Sequence, residues 1–66
     1  MLYSYDQDTD ILIIRLTEEK PDFGEQRENI ITHYDKQNKP VEIEILDASK
    51  TVLKILETIV NRKQAG

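Results

Sequence analysis

Apolar residues recur with a period of two, or in short runs, up to Leu46; beyond it the period lengthens to 3.6. Val41-Glu42-Ile43-Glu44-Ile45 alternates strictly, which predicts a strand with Val41, Ile43 and Ile45 facing the core and both glutamates facing away. Asp10 to Leu16 is a second strand, rich in β-branched residues. Leu12, Ile14 and Leu16 share one face; Ile11 and Ile13, followed by Arg15, share the other. A strand apolar on both faces is normally central and covered on both. Leu2 to Tyr5 is a short apolar and aromatic run, ended by the turn formers Asp6-Gln7-Asp8-Thr9. Ile30 to Asp35 is a further strand, and Lys36-Gln37-Asn38-Lys39 is a hairpin connection in which Asn38 suits positive φ. Pro40 fits a strand start, where its missing N–H does little harm.

The segment from Thr17 to Asn29 is polar, holds Pro21 and Gly24, and predicts a loop anchored on the core edge by Phe23. Gln26 to Asn29 has room for a short edge strand, but no alternation supports one. After Leu46, the stripe Val52, Leu53, Leu56, Ile59 and Val60, flanked by Ile55, predicts a helix from about Ser49 to Arg62. Asp47 or Ser49 would cap it, and Gln64-Ala65-Gly66 would fray. The expected fold is one α+β domain over residues 1–66: an antiparallel β-meander of three to four strands packed on one C-terminal α-helix that covers one face.

That arrangement has a consequence for the other face. If Val41–Ile45 neighbours Asp10–Leu16 with core faces matched, Glu42 and Glu44 join Ile11, Ile13 and Arg15. Acids, apolar groups and one arginine on a common face read as the core and rim of an interface. A solvated face with two exposed isoleucines is the alternative, since isolated exposed apolar residues are common.

Size sharpens the choice. Ordering a chain costs about 1.5 kcal/mol per residue, which roughly cancels what apolar burial returns in a domain this small. The 66 residues include no cysteine, so disulfides and thiolate metal sites are excluded, and the single histidine, His33, cannot build a multi-histidine site. Self-association is the remaining means of stabilisation. The lack of cysteine fits a reducing cytoplasm. Met-Leu-Tyr-Ser-Tyr-Asp at the start has neither a basic n-region nor an apolar h-region, and the longest apolar run, Ile11 to Ile14, is far short of a membrane span. A soluble cytoplasmic protein with no membrane contact is expected.

The formal net charge of −4 is unevenly spread: residues 1–48 carry five basic and twelve acidic groups, whereas residues 49–66 carry four basic groups against Glu57 alone. An acidic body repels phosphate backbones, so nucleic acid is not an expected partner. Arg62 and Lys63 stand where cations complement the end of a helix dipole.

Tyr5-Asp6, Asp10-Ile11-Leu12-Ile13-Ile14-Arg15-Leu16, Tyr34-Asp35 and the run Glu42-Ile43-Glu44-Ile45-Leu46-Asp47-Ala48-Ser49 together resemble a small prokaryotic family, domain of unknown function 2283. The resemblance spans Leu2 to Ser49 and is most specific in the last run. It implies a compact β-meander closed by a C-terminal helix, and it implies no chemistry. The family generally carries a glycine where this chain has Asn29, and another where it has Asn38-Lys39. Asparagine tolerates left-handed backbone best among non-glycine residues, so both departures are mild.

Candidate chemistry is sparse. Asp6, Asp8 and Asp10 have the spacing that opens a calcium loop, but Ile11 replaces the required glycine and Thr17 the required glutamate, which leaves a β-turn with side chains bonding backbone amides. His33 and Asp35 share a strand face and could form an acid–base pair, yet no nucleophile with an orienting partner accompanies them. Glu42 and Glu44 lie roughly 7 Å apart along one face, a spacing open to a metal bridge or to a plain polar face. No catalytic, cofactor or metal residues are therefore assigned. The leading expectation is a non-enzymatic protein-interaction module acting as a homodimer, with Ile11, Ile13, Arg15, Glu42 and Glu44 as a possible interface. Two alternatives stay open. One is an acidic antitoxin-like regulator that binds a small basic protein; the other is a small metal-dependent or acid/base enzyme using Glu42, Glu44 and His33.

Overall fold

The structure, a computed structural model, describes residues 1–65, with side chains through residue 62. Five strands, β1 (Leu2–Asp6), β2 (Ile11–Arg15), β3 (Phe23–Arg27), β4 (Ile30–Tyr34) and β5 (Pro40–Ile45), precede one helix, α1 (Ala48–Ala65). All neighbours pair antiparallel, in the order β1-β2-β5-β4-β3. The α+β class is as the pattern predicts, with five strands in place of three to four. β3, β4 and β5 form the meander, and the β1–β2 hairpin adds to the free side of β5.

The strictly alternating strand is thus the central one. Val41 is fully buried and Ile45 nearly so. The end of β2 is tied to β5 by the amides of Leu16 and Thr17, which both donate to the Val41 carbonyl (2.9 and 3.4 Å). From there residues 16–22 cross to β3, where the Asp22 amide donates to the Tyr34 carbonyl at 2.7 Å.

β3 is the strand that the sequence pattern does not predict. It is exposed along its whole length, so nothing selects alternating apolar residues there. Phe23 does anchor it, stacking on Tyr34 with ring centroids 5.2 Å apart. A two-residue turn joins β3 to β4, with Glu28 rather than Asn29 in the left-handed region (φ 54°). Asn38 takes positive φ (64°) as expected.

The helix extends beyond its expected end at Arg62 to Ala65, so Gln64 and Ala65, expected to fray, are helical; Gly66 lies outside the described residues. It does not lie on the sheet as a lid. Val52, Leu53, Leu56, Ile59 and Val60 are between 38% and 56% exposed. The cause is local: only Leu46 and Asp47 separate β5 from α1, and Asp47 adopts φ 48°. Ala48 is buried and its amide donates to the Asp10 carbonyl at 2.9 Å, which fixes the direction in which the helix departs. No helix among the described residues is long and apolar enough to cross a membrane.

Candidate functional site

The register sorts side chains onto two unlike faces. Pairing of Tyr3 with Ile14, Tyr5 with Leu12, Ile14 with Ile43 and Leu12 with Ile45 builds an aromatic and aliphatic face, which Phe23 and Tyr34 extend. On the opposite face, Ile13 pairs with Glu44, Arg15 with Glu42, Ile31 with Glu44 and His33 with Glu42. Ile11, Ile13, Arg15, Glu42 and Glu44 therefore do share a face, as the alternation requires. Ile11 and Ile13 are half-buried within their own sheet.

This second face gathers the only histidine with two carboxylates. His33 Nε2 lies 2.8 Å from Glu44 Oε1, and the Arg15 guanidinium donates to Glu42 Oε1 at 3.2 Å. Donor atoms of His33, Glu42 and Glu44 all lie within 4.8 Å of one another. Their side chains are 25%, 19% and 26% exposed, so water reaches them from one side only. Arg15 also donates to the Glu19 carbonyl at 3.1 Å, which ties the crossing segment to this face. Gly24 is opposite His33, and a methyl group there would come to 3.0 Å from the imidazole Nδ1. The missing side chain gives the ring its place.

Asp35 is not the partner of His33. Its carboxylate accepts from the amides of Gln37 (2.8 Å) and Lys39 (2.9 Å) and so organises the β4–β5 turn. The acidic triplet also serves a turn: Asp6 accepts from the Asp8 amide at 3.0 Å. Asp10 leaves that turn for the helix start, where it accepts from the Ser49 amide and hydroxyl. The helix cap is therefore Asp10, and neither Asp47 nor Ser49. A shallow groove between residues 17–22 and 35–39 carries lysine and carboxylate side chains but no histidine.

The sheet and its charged cluster define a small open-faced α+β domain: charged side chains converge on one face, while on the other Tyr3, Tyr5 and Phe23 are exposed beside a buried Val41 and Ile45. A family model described as "Protein of unknown function (DUF2283)" matches residues 2–49, all five strands and the helix start, and the chain belongs to that family. Comparisons with curated proteins and with solved structures return no match.

Proposed function

We propose that this chain is a homodimeric protein-interaction module in which α1 of each copy covers the aromatic face of the other. The observation that carries this reading is that the described residues bear two exposed apolar patches, one on the β1 side of the sheet and one along the helix. Tyr3 and Tyr5 are 76% and 50% exposed on the sheet, and Leu53 and Leu56 are 56% and 52% exposed on the helix. The accessible surface is 5672 Å², whereas a compact monomer of this mass has about 4,300 Å². The radius of gyration is 13.9 Å, against about 11 Å for a compact chain of this length. The excess of roughly 1,400 Å² exceeds the ~800 Å² that each partner buries in a standard stable interface.

A second copy is the occupant these surfaces suit. A two-fold exchange of helices covers both surfaces on both chains at once. Charge favours it too, because the segment 49–66 is net positive and the strand body 1–48 strongly negative. The interface then lies on the aromatic face, opposite Ile11, Ile13, Arg15, Glu42 and Glu44. The absence of cysteine suits work in a reducing cytoplasm.

Light scattering at micromolar concentration tests the reading, with about twice 7.7 kDa as the expected mass. In a sample of mixed isotope-labelled and unlabelled copies, intermolecular NOEs should link Leu56 and Ile59 methyls to the Tyr3 and Tyr5 rings. A folded monomer overturns the proposal. A monomer that captures a small basic protein in its native host would instead assign both surfaces to that partner, as in the antitoxin-like alternative.

A further inference from the structure

We infer that His33, Glu42 and Glu44 form a binding site for a borderline divalent cation of the zinc class. One imidazole and two carboxylates supply nitrogen and oxygen donors of the kind such ions take. Around a tetrahedral zinc ion, ligand atoms stand about 3.3–3.6 Å apart, given bonds of about 2.0–2.2 Å. The three donors here range from 2.8 Å to at most 4.8 Å, so they bracket that separation and side-chain adjustment alone can meet it.

The support is rigid. The donors project from two adjacent strands, one of them the central β5, and not from loops. Ile13 and Ile31 flank Glu44 on this face, which lowers the local dielectric and strengthens attraction to a cation. With His33 neutral, the two carboxylates and Arg15 leave the cluster with a net single negative charge. Arg15 bonds only Oε1 of Glu42, as outer groups commonly orient a ligating carboxylate. Three protein donors leave a coordination position for water or a substrate oxygen. This site lies on the face opposite the proposed dimer surface and does not depend on it.

His33 is the only histidine in the chain, so its imidazole resonances report on the site without ambiguity. Zinc titrated into the full chain should shift those resonances at micromolar concentration and raise the melting temperature. Glu42→Gln and Glu44→Gln should each weaken zinc at least tenfold, while Asp8→Asn, in the acidic turn, should leave the response unchanged. Resonances that stay still in millimolar zinc would overturn the site. So would a zinc response that survives both glutamate changes together, and this reading needs no His33 variant to fold.

Discussion

Asp10 and Ser49 stand 39 positions apart in the chain, yet the Asp10 carboxylate accepts both the Ser49 amide (3.0 Å) and the Ser49 hydroxyl (2.7 Å). The turn of the first hairpin thereby satisfies the start of the helix. The Tyr5 hydroxyl donates to the same carboxylate at 2.6 Å. That bond first, and the two from Ser49 next, hold the Asp10 carboxyl below its usual range, while donation to Asp10 pushes the Tyr5 hydroxyl up.

The sign of the pH effect follows from that direction. The folded chain binds protons at Asp10 less readily than the unfolded chain. Asp10 therefore contributes stability above its unfolded pKa, and this is lost as pH falls through the lower folded value. Thermal melts taken between about pH 5 and pH 2 should fall more steeply for the native chain than for Asp10→Asn. Parallel slopes would show that the carboxylate has no such role.

Backbone strain gives a second prediction. Glu28 and Asn38 both occupy the left-handed region (φ 54° and 64°), but asparagine tolerates it and glutamate does not. Glu28→Gly should therefore stabilise the fold by about 1 kcal/mol, and Asn38→Gly by only a few tenths. Urea denaturation of the two variants measures the difference, and equal gains would contradict the assignment of strain to Glu28.

What the sequence reveals here follows what local patterns can encode. Alternation at Val41–Ile45 fixes which residues face which way, and the observed pairing with Ile11–Arg15 sets Ile43 beside Ile14 and Glu42 beside Arg15. Strand β3 escapes because an edge exposed on both faces needs no apolar period. The Asp10 cap escapes because capping rules look three residues along a helix, not 39 positions back. The helical stripe predicts an apolar covering for α1 without encoding its source, and the nearest source, the chain's own sheet, does not supply it in the structure. The His33–Glu44 contact escapes because it is diagonal: the strand register sets Glu42 opposite His33, and an irregularity between His33 and Tyr34 breaks the count from the turn, which Asp35 organises.

Packing inside the chain rests on few side chains, which sharpens a third prediction. Val41 has no exposed surface, and the amides of Leu16 and Thr17 converge on its carbonyl. Val41→Ala should cost about 2 kcal/mol, a large share of the stability of so small a domain. Glu42→Ala, on the opposite face with a partly exposed arginine partner, should cost about 1 kcal/mol or less. Denaturant midpoints of the two variants decide it; an equal loss would mean the faces are wrongly assigned.

Gly24 and His33 give the last. A methyl group on residue 24 would stand 3.0 Å from Nδ1 and 3.3 Å from Cε1 of an imidazole that Glu44 holds from its other side. The ring must give by a few tenths of an ångström and loosen that hydrogen bond. Replacing glycine by alanine also restricts the unfolded chain, a gain of about 0.4–1 kcal/mol that opposes the strain. Gly24→Ala should thus leave stability nearly unchanged while it moves the His33 resonances. Gly24→Val adds bulk that the ring has less room to escape, and about 1–3 kcal/mol of stability should be lost. Chemical denaturation and the imidazole NMR signals separate the two effects, and an unmoved His33 spectrum in the alanine variant would show that Gly24 does not set the ring's position.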